Sequence, residues 1–347
     1  MHRRTVLAIA AGALTVTPLR VLAGDLSSAD ARRALDTLER ELGGYIDPVL
    51  GEKARAAVRA GRKRYLVLGD REAFAEAVSV DLLAATGDLH LKLSVDTVSP
   101  QVAALSEVEE QLLEGRLAHG LMTIRRLPGN IGYFKLRYFA ADEAGADLID
   151  AGLRLLKDAD ALILDLRENT GGGGASDARL LGHLSRGPIP MAVIQWRQPD
   201  GAFTTEARRA DIPAGGPLYP DKPVFVLIAK RTFSAAEAVA YDLQAAKRAV
   251  IVGERSRGGA NPSNRPVSLG AGLSVFLPNG RVVHPVTGGN WDGVGVTPDV
   301  PTPPREALTE AFRRALAAAR PTVSTPKSEK ELADARADPK AALDEML

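Results

Sequence analysis

Residues 222–254 read KPVFVLIAKRTFSAAEAVAYDLQAAKRAVIVGE, and this stretch decides the fold class. After Pro223, Val224 to Ala229 form an unbroken apolar run, the pattern of a strand covered on both faces. Ala235 to Ala246 are rich in helix formers, and Ala249 to Val252 form a second short apolar strand. Ser234 stands at the join between the first strand and the helix. There its hydroxyl faces the first free amides of a helix, which attract negative charge, so the position suits an attacking oxygen and the oxyanion it creates. Serine at such a join is also a common N-cap, and the stretch alone leaves both roles open.

Outward from it the chain alternates in α/β fashion. NIGYFKLRYF (130–139) reads as a strand, Glu143 to Leu156 as a helix and Ala161 to Leu166 as a buried strand, followed by RENTGGGGASDARLLGHL (167–184), a glycine-rich turn that opens another helix. Four consecutive glycines let the backbone approach a ligand and turn its amides inward; a plain flexible turn is the alternative. The third glycine of GxGxxG falls on Ser176 and there is no GKS or GKT, so dinucleotide and phosphate-loop readings fail. MAVIQWR (191–197) is a hairpin candidate with Pro199-Asp200-Gly201, VSLGAGLSVFLPNGRVV (267–283) reads as a hairpin turning on Asn279-Gly280, and Arg305 to Ala319 read as a helix.

Upstream, SSADARRALDTLERELGGY, EKARAAVRAGRKRY and DREAFAEAVSVDLLAAT place apolar residues such as Ala34, Leu35, Leu38 and Leu42 at helical spacing. They make residues 24–92 an N-terminal helical domain ending in GDLH, with His90 between the last helix and the alternating strand LKLSV. Residues 93–120 are a connector with one helix, roughly Pro100 to Glu114, too short for a further domain. Residues 320–347 are charged and alanine-rich, which reads as a flexible tail.

Residues 1–23, MHRRTVLAIAAGALTVTPLRVLA, have a basic start, a short apolar middle and a Val-Leu-Ala end: an export signal peptide. Arg3-Arg4 before Thr5-Val6-Leu7 resembles a twin-arginine signal, although a general secretory signal also accommodates two arginines. An uncleaved anchor is the alternative, and the only route by which the chain would touch a membrane. The 347 residues carry 45% hydrophobic and 25% charged residues and a net charge of +1, which gives no reason to seek nucleic acid. With no cysteine and five scattered histidines without HExxH, neither a metal site nor a cofactor is expected.

GDLHLKL (87–93), LILDLRENTGGGG (162–174), TFSAAEA (232–238) and WDGVGVTPDV (291–300) stand together. Their combination resembles the serine peptidase family of carboxy-terminal processing (tail-specific) proteases, and is most similar to the branch of the tricorn core and the interphotoreceptor retinoid-binding protein repeats. The resemblance implies an α/β fold: a crotonase/ClpP-like spiral core of ββα units over 121–319, behind the helical domain and without a PDZ domain. It implies an exported serine endopeptidase of the bacterial periplasm that cuts peptides or protein tails through an acyl-enzyme. The retinoid-binding repeats keep open a second class, a non-catalytic binder of an apolar ligand or peptide.

By motif, Ser234 matches the nucleophile, the Ala235 amide one oxyanion donor, and Gly171 or Gly172 the loop that gives the second. The processing-protease branch uses a downstream lysine as base, yet this chain has no lysine between Lys247 and Lys327, and Arg255 and Arg257 stay protonated. The other branch resembles a serine, histidine and acid site, and His90 and Asp292 match its last two members. Asp292 stands where the family shows glutamate, so it reaches the imidazole only if the backbone comes closer. A modestly perturbed histidine base places the acid limb of the rate near pH ~6–7. Glu237, Arg167 and Asp165 read as structural, and His284 is the alternative base.

Overall fold

The computed structural model describes residues 25–96, 107–265 and 267–345. The expected export signal, and the start of the helix expected from Pro100, lie outside the described residues. Three helices come first: α1 (Ser28–Glu41), α2 (Pro48–Tyr65) and α3 (Arg71–Thr86). Each begins at a side-chain cap. Ser27 accepts the Asp30 N–H, Asp47 accepts those of Val49 and Leu50 with Pro48 at the first helical position, and Asp70 accepts that of Ala73. Gly87 ends α3 in the left-handed conformation at φ 73° and turns the chain toward His90.

The buried stripe of α1, with Leu35 and Leu38, packs with the other two helices on a small antiparallel sheet in the order β1-β10-β9. Its strands are β1 (Lys92–Val95), β9 (Val267–Gly270) and β10 (Leu273–Phe276). Leu91, Leu93, Val267, Leu269, Leu273 and Val275 share one core with the helices. The helical unit is therefore completed by a hairpin some 170 residues downstream, and a boundary at residue 92 cuts through its core.

That hairpin turns at Ala271-Gly272, both at positive φ, and not on Asn279-Gly280 as the sequence pattern predicts. Gly280 instead opens β11 (Gly280–Val283), which pairs with β5 (Val193–Arg197), itself paired with β6 (Phe203–Glu206). A Cβ on Gly280 would press on the Trp196 ring at 2.6 Å, so this glycine serves a close approach and not a turn.

The central sheet has six strands in the order β12-β8-β7-β4-β3-β2. β2 (Leu121–Leu127) is antiparallel to β3 (Ile131–Leu136); β4 (Ala161–Asp165), β7 (Val224–Ile228), β8 (Val250–Gly253) and β12 (Val300–Pro301) continue in parallel. Alternate residues of the apolar runs feed two cores. Leu162, Leu164, Val226 and Ile228 meet α5 (Glu143–Leu155), α6 (Ala175–His183) and α7 (Ala235–Ala245), while Ile163, Phe225 and Leu227 meet α8 (Ala307–Ala318). This two-sided cover is what the unbroken run Val224 to Ala229 requires.

Residues 326–344, part of the expected flexible tail, are helical: α9 (Pro326–Ala337) and α10 (Pro339–Asp344). Leu332, Ala335 and Leu343 are buried beside Phe312 and Leu316 of α8. Composition points to disorder here, but position decides. Thr325 and Asp338 cap the two helices with proline at the first turn, and both leucines, Leu332 and Leu343, fall on the docked face with Ala335. Between β1 and β2 the described residues hold α4 (Glu107–Arg116). Among the described residues no helix is long and apolar enough to cross a membrane.

Candidate active site

Ser234 sits where β7 gives way to α7, with φ 56° and ψ −122°. That is a conformation a non-glycine residue adopts only when its surroundings impose it, and such outliers cluster at functional sites. The turn is tied down on every side. Thr232 Oγ donates to the Leu166 carbonyl at 2.8 Å and accepts the Ala229 N–H at 2.9 Å, and the Phe233 N–H donates to the Asn169 carbonyl at 3.1 Å. The Ser234 N–H donates to Glu237 Oε2 at 2.9 Å, while the Ser234 side chain makes no capping hydrogen bond. Glu237 thus satisfies the N–H of the N-cap residue from the third helical position, and among the described residues the Ser234 hydroxyl donates no hydrogen bond.

Glu237 does more than the helix carboxylate the sequence suggests. Wholly buried, it accepts four donors: Ser256 Oγ (2.6 Å) and the Gly258 N–H (2.6 Å) on Oε1, and the N–H groups of Ser234 and Gly259 (2.9 Å each) on Oε2. It clamps the serine turn to the loop after β8. Burial pushes its carboxyl above the usual range against the pull of these hydrogen bonds. The spacing of Glu237 on the helix was visible in the sequence, but its partners 19–22 residues downstream were not.

The glycine loop folds against the same turn. Gly171 to Gly174 all have φ between 101° and 124°. A Cβ on Gly171 would lie 2.7 Å from the Ser234 Cβ, and one on Gly172 would run into the Phe139 carbonyl oxygen. The two candidate amides differ. That of Gly171 donates to Asn169 Oδ1 at 2.9 Å, whereas among the described residues those of Gly172 and Ala235 have no hydrogen-bond acceptor. Ser234, Ala235 and Gly172 line a cleft of about 470 Å³ whose walls include Ala238, Trp291 and Arg208. Arg208 is tied to the buried Asp177 at 2.6 Å.

His90 reaches this turn across its aromatic neighbour. Its ring lies 4.4 Å, centroid to centroid, from that of Phe233 and stacks on Phe276 at 5.4 Å. Burial lowers its pKa from 6.5 to about 4; Lys92 and Arg257 act in the same direction and Asp88 opposes them. Among the described residues Nδ1 is buried without a partner, and no hydrogen bond joins His90 to Ser234 or Asp292. Asp292 accepts the Ala260 N–H at 3.0 Å and Asn261 Nδ2 at 2.9 Å, and burial pushes its carboxyl up. A Cβ on Gly259 would overlap the Phe233 ring and lie 2.9 Å from His90 Cε1, so the glycine makes room for the imidazole.

The alternative histidine is already engaged. His284 Nε2 lies 3.2 Å from the Pro190 carbonyl, and Nδ1 accepts the N–H groups of Val286 and Thr287. Arg167 and Asp165 form a bidentate pair that also holds the Tyr133 hydroxyl and the Pro304 carbonyl.

Residues 130–302, which carry the glycine loop, Ser234 and Asp292, match the model of Peptidase family S41. The chain belongs to that family. The carboxyl-terminal-processing protease of Synechocystis is 31% identical over 206 residues, 58% of this chain and 42% of that protein. The chain therefore spans less than half the length of that curated relative. Among solved structures, a candidate peptidase from Parabacteroides merdae aligns at TM-score 0.57 and 20% identity, covering 86% of this chain and all of the other. Mature CPAF aligns at TM-score 0.51 and 13% identity, over 80% and 94%. At these identities the S41 likeness extends to the fold, a central sheet flanked by helices.

Proposed function

We propose that the protein is an exported serine endopeptidase that hydrolyses peptide bonds in peptides or protein tails, with residues 1–23 as its export signal. The observation that carries the reading is Ser234, held at φ 56° by the Glu237 clamp, whose hydroxyl donates no hydrogen bond among the described residues and which has beside it two amides without an acceptor among those residues. In this reading Ser234 Oγ bonds to the scissile carbonyl carbon while His90 takes its proton. The amides of Gly172 and Ala235 receive the oxyanion. Collapse of the tetrahedral intermediate breaks the C–N bond, the proton passes from His90 to the leaving amine, and water repeats the sequence to free the acid. Asp292 is the acid paired with His90. Catalytic hydrogen bonds are often long in the free enzyme and tighten with substrate, so the spacing around His90 is compatible with this role.

Hydrolysis of unstructured peptides by the wild type and by Ser234→Ala tests the proposal. The variant should stay folded and lose activity by ~10³-fold or more, as removal of a triad member does. Equal turnover removes Ser234 from the mechanism. One observation favours the second reading, a non-catalytic binder: among the described residues His90 Nδ1 has no partner, although the half-buried Asp292 is linked to the same segment through Asn261 and Asp88. Tight binding of peptides without turnover by the wild type would establish it.

A further inference from the structure

Asp88 belongs to the GDLH stretch, yet nothing in the reaction above uses it. It is 4% exposed, and its Oδ1 accepts the backbone N–H of His90 at 2.8 Å. Its Oδ2 accepts the Tyr45 hydroxyl at 2.7 Å and Asn261 Nδ2 at 3.3 Å. Asn261 Nδ2 also donates to Asp292 Oδ2 at 2.9 Å. One neutral amide thus bridges two carboxylates, the buried Asp88 from the end of the helical layer and the half-buried Asp292 from the 291–300 loop. Among the described residues neither carboxylate has a cation within ion-pair distance.

Two linked carboxylates without a cation, one buried and one half-buried, are costly to hold unless a positive charge forms beside them. The group that becomes positive here is His90. The charges acting on its ring are Asp88 from its own segment, Lys92 from β1 and Arg257 from the loop after β8; the rings of Phe233 and Phe276 carry no net charge. Only Asp88 among those charges favours the protonated ring.

We propose that Asp88 is a positioning residue for His90: its carboxylate fixes the backbone of the histidine and, linked to Asp292 through Asn261, supplies the negative charge that the imidazolium needs. The inference rests on His90 being the base. During the reaction the proton taken from Ser234 stays on the imidazole until the leaving amine receives it.

The test compares the wild type, Asp88→Asn and Asp292→Asn by kcat and KM on a peptide substrate across pH, alongside thermal unfolding. Asp88→Asn should lower kcat by ~10²-fold or more with KM nearly unchanged, and should move the acid limb to lower pH, because the imidazolium loses a stabilising charge. Should Asp88→Asn not fold, Tyr45→Phe probes the same carboxylate: without the phenol donor its charge is less compensated, and the acid limb should rise. An unmoved limb in a folded variant, or activity lost only in proportion to the unfolded fraction, overturns the proposal. So does a limb displaced by Asp292→Asn alone. Titration of the His90 ring by NMR, assigned through His90→Gln, needs no turnover. If the wild type cleaves no peptide but Asp88→Asn shifts that titration, the peptidase reading fails while the pairing stands.

Discussion

Glu237→Gln takes one negative charge and one acceptor out of the centre of the serine turn. The carboxylate holds four donors, two per oxygen, and a carboxamide keeps a single oxygen. With that oxygen left on the Ser234 and Gly259 amides, the new NH2 group faces the Ser256 hydroxyl, which can rotate to accept, and the Gly258 N–H, which cannot. At 0% exposure no water takes over. One orphaned buried donor costs ~1–3 kcal/mol, and the opposite amide orientation orphans two. Relief of a buried charge works the other way, since burial already holds the Glu237 carboxyl above its usual range. The net expectation is a loss of ~1–3 kcal/mol, read as a lower urea midpoint at unchanged slope. The reaction should suffer more than stability. A strained backbone such as that of Ser234 costs ~1–3 kcal/mol to hold and relaxes once its clamp loosens. Peptide turnover should fall at least ~10-fold at denaturant concentrations where the variant is still folded, since 1.4 kcal/mol of lost positioning is worth that factor. A variant as stable and as active as the wild type would refute the clamp.

Burial of His90 carries a pH prediction: the acid limb of kcat/KM should fall near pH 4, where its pKa lies, and not at the ~6–7 of a solvent-like histidine. Because the unfolded chain takes up that proton below 6.5 and the folded one only near 4, stability should decline as pH falls through this window, by up to ~3 kcal/mol. Glu237 and Asp292, whose carboxyls are pushed up, act in the opposite direction, so the comparison is with His90→Gln, which should flatten the decline. Gly259→Ala places a methyl in the Phe233 ring and 2.9 Å from His90 Cε1; activity should drop ~10-fold or more for a stability cost of ~1–3 kcal/mol, and full activity would show that His90 is not placed through this contact. Leu332→Ala, at a site 8% exposed in the docked α9, should cost ~2 kcal/mol in chemical denaturation, whereas no cost would return 320–347 to a flexible tail.

The parts of the fold that were legible in the sequence are those encoded by local periodicity. Val224 to Ala229 and Ala161 to Leu166 announced buried strands because both faces are covered, and Leu35 and Leu38 marked the inner stripe of α1. Distance in the chain hid the rest. The core of the helical layer needs β9 and β10, which no pattern within residues 24–92 reveals. Asn279-Gly280 carries the commonest hairpin signature, yet Gly280 lies in β11 and Trp196 of the paired strand β5 claims the space over it. In the tail, composition outweighed three well-placed apolar residues and two proline-started caps. For the candidate site, motif strings picked out Ser234 and His90, but the choice between Gly171 and Gly172 turns on a hydrogen bond from one amide to Asn169. Glu237 looked structural because the loop it clamps lies 19–22 residues away, and nothing in the sequence singled out Asp88, whose link to Asn261 spans 173 residues.

The central claim, that Ser234 is an activated nucleophile, is tested most directly by a serine-directed fluorophosphonate and peptide mapping of the adduct. The hydroxyl of an ordinary serine is inert to the reagent at neutral pH, whereas one with a base and an oxyanion site reacts. The folded wild type should be modified at Ser234 and lose peptide hydrolysis at the same rate. His90→Ala and urea-unfolded protein should not be labelled. Folded wild type that hydrolyses peptide while Ser234 stays unmodified would contradict the account.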